Sequence, residues 1–353
     1  MTALGDLLVR RIRATGPITV AEFMAECLLH PEHGYYTTRE PFGVGGDFIT
    51  APEISQMFGE MLGLCVAQAW WDQGAPRRFA LAEIGPGRGT LMADMLRAAR
   101  AMPGFPDAAE VVLIEASPRL QAAQRQTLRD TPARWIARLD DLPELPLFLV
   151  ANEFFDALPV RQFLRHPQGW QERLVGLEND QLAFGFSPPA PLAALEHRLP
   201  DTVPGEIVET CAPASVVVGQ IAERIAALGG AALILDYGDA PSRGDTLQAL
   251  RGHAFISPLE EPGLADLTAH VDFAELARAA SPCRVTRLTP QGVFLERLGI
   301  TARARALARN LAGTALEAHV AAHRRLTHPA EMGNLFKALA LHAPDTPPPP
   351  GFA

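Results

Sequence analysis

The stretch that decides the fold is FALAEIGPGRGTL, residues 79–91, in which an apolar run leads into a loop with three glycines. The run Phe79–Ile84 has the length and composition of a buried strand, and Thr90–Ala101 has the apolar spacing of a helix. Glycine allows the backbone to turn tightly and to approach a ligand without a clash from a Cβ atom. The glycines at 85, 87 and 89 therefore predict a ligand-binding turn between a strand and a helix.

Beyond this loop the alternation of strand and helix continues. The expected elements are strands at Glu110–Glu115, Ala133–Ile136, Leu147–Ala151 and Ala231–Asp236, and helices at Ser117–Leu128 and Ala214–Leu228. Consecutive units of strand, helix and strand imply a parallel sheet with right-handed crossovers. The predicted fold class is α/β, a Rossmann-like sheet with an N-terminal helical segment and inserted additions.

Residues 160–186 depart from that pattern. They alternate apolar and polar residues and carry Asn179-Asp180 at a turn, which predicts antiparallel strands inserted into the order of the sheet. We expect an N-terminal helical and lid region over 1–75, and the α/β domain over 76–345 with a β insertion at about 160–215 and a helical arm at about 300–328. The proline-rich tail, 346–353, is expected to be disordered.

Two long stretches without regular structure are expected, at His30–Pro52 and Tyr237–His270. Loops of this length in a compact domain are usually lids or binding segments. The first stretch carries aromatic residues among its glycines, which favours packing over a site. Both are expected to close over a ligand and to exclude water.

The composition narrows the functional classes. The chain has 353 residues, 48% of them apolar, and a formal net charge of -9, so a general affinity for nucleic acid is not expected. No run approaches the length of a membrane span, and Met1–Arg13 predicts a short amphipathic helix rather than a transit peptide. The four cysteines lack the spacing of metal ligands, so we expect free thiols, no bound metal and a cytoplasmic protein.

Glu83, at the end of the strand before the glycines, discriminates between two kinds of cofactor. A dinucleotide site requires G-x-G-x-x-G; Gly85 and Gly87 fit that spacing, but the third position holds Thr90. Pro86 also stiffens the loop. An acidic side chain would repel a pyrophosphate, whereas it suits a ligand that carries an ammonium and a sulfonium. The loop therefore predicts S-adenosylmethionine.

Acidic residues at the ends of the next strands extend this hypothesis. Glu115 is placed to accept both hydroxyls of a ribose, although an acid at the N-terminus of a helix is also favoured by the helix dipole. Asp140-Asp141 is placed to contact an adenine amino group, or it lies in a solvated loop. The residues predicted to bind the cofactor are Glu83, Gly85, Pro86, Gly87, Gly89, Glu115, Asp140, Asp141 and Asn152.

The segment NEFFD, residues 152–156, follows the fourth strand, at the edge where ligands bind in open α/β sheets. Some amine-methylating enzymes have Asn-Pro-Pro-aromatic at this point, and here Glu153 takes the place of the first proline. A carboxylate suits a cationic acceptor, above all a guanidinium. The alternative is that Glu153 and Asp156 cap the turn that follows.

Seven blocks of the sequence resemble the MidA-like methyltransferase family, whose mitochondrial members are assembly factors for respiratory complex I. The blocks are GYYTTREPFGVGGDFITAPEISQMFGE (Gly34–Glu60), EIGPGRGTL (Glu83–Leu91), ANEFFDALPVRQF (Ala151–Phe163), LILDYG (Leu233–Gly238), DLTAHVDF (Asp266–Phe273), QGVFLERLGI (Gln291–Ile300) and EMGNLFKALA (Glu331–Ala340). They span nearly the whole chain. Arg161 departs from the histidine expected in mitochondrial relatives.

The resemblance implies a class I methyltransferase fold. It also implies a protein arginine as the acceptor, dimethylated symmetrically on the large hydrophilic subunit of complex I. Eukaryotic relatives would act in the mitochondrial matrix, and a bacterial member in the cytoplasm. The apolar residues around the helical arm predict either a homodimer contact or packing on the sheet.

For such a transfer we expect Glu153, helped by Asp156 or Asp47, to bind the guanidinium of the acceptor. Arginine stays charged in proteins, so its proton is expected to leave late, to a carboxylate or to His270. His270 is equally consistent with a structural histidine in a loop. Three other functions remain open: a dinucleotide oxidoreductase, a methyltransferase of RNA or of a small molecule, and a non-catalytic complex I assembly chaperone.

Overall fold

The computed structural model describes residues 2–38 and 50–352. The helices in these residues are α1 (Ala3–Thr15), α2 (Val20–Leu29), α3 (Tyr35–Thr38), α4 (Ala51–Ile54), α5 (Gln56–Asp72), α6 (Thr90–Ala99), α7 (Phe105–Ala108), α8 (Pro118–Thr127), α9 (Ala212–Leu228), α10 (Phe273–Ala279), α11 (Gln291–Leu298), α12 (Ile300–Ala308), α13 (Gly313–Thr327) and α14 (Met332–Leu335). Short 3-10 turns lie at Leu139–Asp141 and Ala193–Arg198.

The strands in the same residues range from two to ten residues in length. They are β1 (Ile18–Thr19), β2 (Phe79–Ile84), β3 (Ala109–Ile114), β4 (Ala133–Ile136), β5 (Leu147–Asn152), β6 (Arg161–His166), β7 (Gly169–Glu178), β8 (Gln181–Phe186), β9 (Ile207–Thr210), β10 (Gly230–Asp239), β11 (Gln248–Arg251), β12 (Ala254–Ile256), β13 (Asp266–Thr268), β14 (Val271–Asp272), β15 (Arg284–Val285), β16 (Thr289–Pro290) and β17 (Phe336–His342).

The largest sheet has the strand order β15-β17-β10-β5-β2-β3-β4. Strands β10, β5, β2, β3 and β4 are parallel, and β17 runs antiparallel to β10. From β2 the chain builds β3 and β4 on one side and then returns to place β5 and β10 on the other. The strand order therefore reverses between β2 and β5, which is where an open α/β sheet forms its ligand crevice. The predicted α/β class is confirmed.

The central strands form because both faces of the sheet are covered. All six residues of β2 and all six of β5 are buried, and parallel strands covered on both faces consist of continuous apolar runs. Strands β2 and β4 have the predicted bounds. Helix α8 begins as predicted at its Ser117 cap, whose hydroxyl accepts a hydrogen bond from the Leu120 amide.

The described residues group into two compact units. The first unit comprises 2–38, 156–214 and 239–274, and the second comprises 50–155, 215–238 and 275–352. Each has its own apolar core: Leu4, Phe23 and Leu267 belong to that of the first, and the aromatic rings of Trp70 and Phe79 to that of the second. The limits predicted for the N-terminal region and the catalytic domain stay a prediction.

Two features of the first unit differ from expectation. The strands of 160–186 are antiparallel, but they form a separate sheet, β1-β7-β6-β9 with β8 beside β7, and are not inserted into the large one. Strand β7 already has hydrogen-bonded partners on both edges, so it has no edge left for the large sheet. The stretch Tyr237–His270 is not irregular throughout, because β11 pairs with β12 and β13.

The predicted lid His30–Pro52 is described only in part. Its beginning forms α3, in which Tyr35 is fully buried in the core of the first unit. The prediction of an irregular loop is therefore wrong for this beginning, because burying an aromatic ring stabilises a helical turn there. Residues 39–49, which include Asp47, lie outside the described residues, and Ala51 and Pro52 at the end of the stretch begin α4.

Two further expectations concern the C-terminal third of the chain. The helical arm consists of two helices, α12 and α13, separated by 309–312. The tail is packed, so the prediction of disorder is wrong: Phe352 is buried, with its ring 4.7 Å from that of Phe294, and the Cys65 thiol donates to the Pro350 carbonyl. An aromatic residue near the end of a proline-rich segment gives that segment an apolar anchor.

Within 2–38 and 50–352, none of the helices combines the length and the apolar character needed to cross a membrane.

An ion cluster around the buried carboxylate of Glu60 links α12 to other helices of the second unit. The carboxylate of Glu60, on α5, accepts hydrogen bonds from Arg303 at 2.7 and 2.8 Å and from Arg97 at 3.2 Å. Burial opposes ionisation of Glu60, but the two arginines outweigh it and lower its pKa. The cluster therefore joins α5, α6 and α12 through one ionised carboxylate.

Replacing Arg303 by methionine is expected to lower the free energy of unfolding by about 1–3 kcal/mol, because the buried carboxylate of Glu60 loses two donors. Arg305→Met is the matched control, since Arg305 is an exposed arginine on the same helix. Unfolding by denaturant, followed by circular dichroism, measures both variants. Equal midpoints would show that the ion cluster does not hold α12 in place.

Candidate active site

The glycine loop between β2 and α6 adopts a backbone conformation that few other residues tolerate. Gly85, Gly87 and Gly89 have φ angles of +65°, +51° and +82°. A Cβ atom at Gly85 would lie 2.9 Å from a ring carbon of Phe154. The Gly89 amide donates to the Pro86 carbonyl at 2.7 Å, which closes the loop just before α6. The loop thus presents bare backbone at the switch point of the sheet.

Glu83 lies on β2 immediately before this loop and is 3% exposed. Among the described residues its Oε2 atom has no hydrogen-bond partner. Burial raises the pKa of this carboxyl to about 8, against a smaller opposing effect of the Met92 amide. A buried acid with an unsatisfied oxygen is costly unless a cationic group of a ligand lies against it. The residues present therefore fit S-adenosylmethionine, which is positively charged.

Glu115 follows β3, the neighbouring strand. Its Oε1 accepts from the Ser117 amide at 2.7 Å, and its Oε2 accepts from the Gln124 side chain at 3.3 Å. Burial raises its pKa, and these hydrogen bonds partly oppose that rise. The bond from Ser117 places the carboxylate at the N-terminus of α8, so the helix-dipole explanation and a ribose contact are compatible. The ribose contact stays a prediction.

Asp140 and Asp141 lie in the 3-10 turn after β4, and both are exposed. Asp140 accepts hydrogen bonds from Arg138 at 3.1 Å and from Gln220 at 3.3 Å. These bonds orient one carboxylate of the pair at the end of its strand. A contact of either residue with adenine stays a prediction.

Asn152 ends β5, on the other side of β2. It is 8% exposed, and its Oδ1 has no hydrogen-bond partner among the described residues. Its Nδ2 donates to Glu153 Oε1 at 3.1 Å, and the Ala51 amide donates to the same oxygen at 2.9 Å. Glu153 thus helps to cap α4, which precedes it in the chain. These two contacts also hold its partly exposed carboxylate in one orientation.

Asp236 and Gln124 are fully buried polar residues of this unit that the sequence reasoning missed. Asp236, on β10, accepts from the Phe155 amide at 3.0 Å and from the Tyr237 amide at 2.9 Å, so it fixes the turn after Glu153. An acid that interrupts the apolar strand LILDYG was the available signal for Asp236. Gln124 has no such signal, because it lies in an ordinary polar helix.

Asp156 and His270, the other two candidate residues within the described ranges, belong to the first unit. The Ala269 amide donates to the Asp156 carbonyl at 2.9 Å, and the His270 amide donates to the Thr246 hydroxyl at 2.8 Å. The structure therefore brings the backbone of the Asp156 segment next to that of the His270 segment. Asp47 falls in 39–49, where nothing is described.

Tyr36, which precedes the Asp156 and His270 segments in the chain, also contacts this part of the first unit. Its hydroxyl donates to Asp266 at 2.9 Å. Burial and the nearby charges of Asp266 and Asp156 raise its pKa well above the usual value. Tyr36 of the GYYTT block, Asp156 at the end of NEFFD and Asp266 of DLTAH thus lie close together within the first unit.

The large sheet has this parallel order, a reversed strand β17, and an acidic residue followed by a glycine loop at its switch point. These features define a Rossmann-like methyltransferase that uses S-adenosylmethionine. The family model described as "Putative S-adenosyl-L-methionine-dependent methyltransferase" matches residues 61–291. The chain belongs to this family, and S-adenosylmethionine is its cofactor. The predicted enzyme class and cofactor are confirmed.

Similar proteins agree with this assignment. The protein arginine methyltransferase NDUFAF7 of Bos taurus, a mitochondrial protein, is 38% identical over an alignment of 364 residues. The alignment covers 95% of this chain and 82% of the relative. Its Mus musculus counterpart is 39% identical over 366 residues, with 95% and 83% covered. A Burkholderia thailandensis protein crystallised with S-adenosyl-homocysteine superposes with a TM-score of 0.83 at 30% identity, covering 99% of this chain and 92% of that one.

Proposed function

We propose that this enzyme methylates arginine side chains of a protein, and that it forms symmetric dimethylarginine on the large hydrophilic subunit of respiratory complex I. Two lines of support lead to the arginine. Relatives that span 95% of the chain are named protein arginine methyltransferases. In addition, an oriented carboxylate, that of Glu153, follows the strand next to the glycine loop. The complex I subunit rests on the family resemblance alone.

Glu153 is the observation that carries the acceptor class. Its φ angle of +49° is uncommon for a side chain of this size, and the backbone is held there by a 2.9 Å hydrogen bond from its amide to the Leu235 carbonyl. Strain of this kind persists where the surrounding structure fixes it, often at functional sites. A carboxylate is the side chain that best matches a guanidinium. Glu153 is therefore the residue that we assign to the acceptor.

S-adenosylmethionine supplies a methyl group on a positively charged sulfur. On the protein side, Glu83 stabilises positive charge at the end of β2, and the glycine loop allows close approach to the backbone. Glu115 and the Asp140-Asp141 pair are assigned to the nucleoside. The amide oxygen of Asn152, which is buried at the end of β5 without a hydrogen-bond partner among the described residues, is assigned to accept a hydrogen bond from the cofactor. Displacement at a methyl group needs an in-line arrangement, so these residues act mainly by orientation.

The proton of the acceptor is assigned to a carboxylate or to His270. Arginine loses a proton only with difficulty in proteins, and an anchored carboxylate concentrates the positive charge away from the attacking nitrogen. Asp156 and Asp47 are retained as helpers of Glu153. We also propose a cytoplasmic location, which is consistent with four free thiols, whereas the relatives are named as mitochondrial. A homodimer stays a prediction.

Glu153→Gln is expected to bind S-adenosylmethionine as tightly as the parent protein and to lose transfer to arginine by at least about 100-fold. The reason is that the loss of a charged hydrogen-bond acceptor weakens binding of the guanidinium by about 1.5–3 kcal/mol, and misalignment adds to that loss. Calorimetry measures cofactor binding. Mass spectrometry of the complex I subunit, co-expressed with each variant, measures methylation of its arginines.

Glu144→Gln is the control, because Glu144 is an exposed glutamate of the same unit. It is expected to leave both measurements unchanged. Full methylation by Glu153→Gln would exclude this residue as the anchor of the acceptor. If the subunit is unmethylated even with the parent protein, the substrate assignment is wrong, whatever the role of Glu153.

A further inference from the structure

Gln124, on the second turn of α8, is fully buried and makes three hydrogen bonds within the second unit. Its Nε2 donates to the Gly87 carbonyl at 2.8 Å and to Glu115 Oε2 at 3.3 Å. Its Oε1 accepts from the indole nitrogen of Trp135 at 2.9 Å. A buried amide that uses both hydrogens and its oxygen is held in a single orientation.

Trp135 determines which way that amide faces. An indole N–H is a donor only, so it requires the oxygen of Gln124 and directs the amino group toward Gly87 and Glu115. Both of those partners are acceptors only, a backbone carbonyl and a carboxylate. Each of the three contacts thus supports the same assignment of the amide atoms.

The partners of Gln124 belong to three adjacent strand ends. Gly87 lies in the loop after β2, Glu115 follows β3, and Trp135 lies on β4. Strands β2, β3 and β4 are neighbours in the sheet. Helix α8 also lies close to the loop, because a Cβ atom built at Gly89 would be 3.5 Å from the Gln124 Cα. The Gln124 side chain therefore connects the ends of β2, β3 and β4, which is the part of the sheet edge assigned to the nucleoside.

We infer that Gln124 is a positioning residue for the nucleoside half of the cofactor: it holds the Glu115 carboxylate and the glycine loop in the arrangement that binds S-adenosylmethionine. The inference rests on the proposed assignment of Glu115 to the ribose. Gln124 acts through Glu115 and Gly87, and its own amide is saturated by protein partners. Its effect on the cofactor is therefore expected to depend on Glu115.

The test is the affinity for S-adenosylhomocysteine, measured by calorimetry on the full chain. Gln124→Met keeps the length of the side chain and removes all three hydrogen bonds, so binding is expected to weaken by about 10- to 100-fold, as for hydrogen bonds to charged groups. Gln126→Met is the matched control, an exposed glutamine two residues further along the same helix. It is expected to bind as the parent protein does.

A double-mutant cycle with Glu115→Ala separates positioning from a general effect on folding. Glu115→Ala alone is expected to weaken binding by about tenfold or more. In that background Gln124→Met is expected to weaken binding by clearly less than its factor in the parent protein, because the part of its effect that acts through Glu115 is then absent. The same full factor in both backgrounds would overturn the inference, since Gln124 would then act independently of Glu115.

Two further outcomes are informative. If Glu115→Ala binds S-adenosylhomocysteine as tightly as the parent protein, the assignment of Glu115 to the cofactor fails, and the role of Gln124 fails with it. If Gln124→Met does not fold, Trp135→Phe takes its place, because it keeps an aromatic ring and removes the donor that orients the amide. That variant is expected to bind about three- to tenfold more weakly, and unchanged binding would overturn the inference.

Discussion

Glu83→Gln is expected to make the cofactor-free protein more stable at pH 8 and to weaken its affinity for S-adenosylmethionine by about 10- to 100-fold. The carboxyl is 3% exposed, and burial raises its pKa from 4.5 to about 8. In the unfolded chain it therefore ionises above pH 4.5, whereas the folded protein keeps the proton until about pH 8. Glutamine does not have to lose a proton in either state.

The sign of the pH dependence follows from these two values. The favourable contribution of the neutral form is complete below pH 4.5 and decreases as the pH rises toward 8. The decrease is about 1.4 kcal/mol for each pH unit in that window. The gain in stability of Glu83→Gln over the parent protein should therefore be small at pH 5 and several kcal/mol at pH 8.

Chemical unfolding at pH 5 and pH 8 measures the stability, and calorimetry measures the affinity. Glu144→Gln, which changes the same chemical group on the surface, should show no pH-dependent gain. Unaltered affinity in Glu83→Gln would show that this carboxylate does not face the cofactor. A buried acid destabilises the empty protein when it ionises, and a bound cation removes that cost. Glu83 should therefore lower stability without the ligand and raise affinity for a cationic ligand.

Gly85→Ala is expected to lower cofactor affinity by at least about tenfold, because the new methyl group clashes with Phe154 and distorts the loop. Its Cβ would lie 2.9 Å from a ring carbon of Phe154, in a residue whose φ is +65°. The left-handed conformation alone costs about 1–2 kcal/mol for alanine. The collision adds a displacement of Phe154 or of the loop itself.

Gly74→Ala is the matched control for this effect. Gly74 has a φ of +84°, and a Cβ atom there meets no other atom within 4 Å. In thermal unfolding Gly74→Ala should show only the cost of the left-handed backbone, and Gly85→Ala should lose more stability because of the collision. Only Gly85→Ala should lose affinity in calorimetry. Adding Phe154→Ala to Gly85→Ala should restore part of the binding. An equal affinity loss in both glycine variants would contradict the collision.

The positions of the candidate cofactor residues at the strand ends could be predicted because they depend on local patterns. The apolar run of β2 and the acid and glycines after it are contiguous in the sequence, and in a parallel sheet the strand ends meet at one edge. Glu115, the Asp140-Asp141 pair and Asn152 were therefore found by counting strands. The position and the charge of Glu83 in the sequence likewise predicted a cationic ligand.

Other parts of the structure depend on contacts between distant residues and could not be predicted in this way. The role of Gln124 depends on how α8 packs against two strand ends, and its helix carries no unusual pattern. Residues 160–186 had the correct antiparallel pattern, but one partner of β7 is β1, a strand of only two residues that lies far away in the sequence. The packing of Phe352 depends on Phe294, which lies 58 positions earlier in the chain.

The first unit is assembled from three separated segments of the chain, and this affects how the protein can be made. Its core joins Leu4 and Phe23 to Leu267, and the Tyr36–Asp266 hydrogen bond spans 230 positions. During synthesis the amino-terminal helices leave the ribosome long before β13. Their apolar faces therefore stay exposed until the rest of the core has been synthesised. Closing loops of this length slows folding. Nascent chains should therefore be clients of chaperones until late in translation.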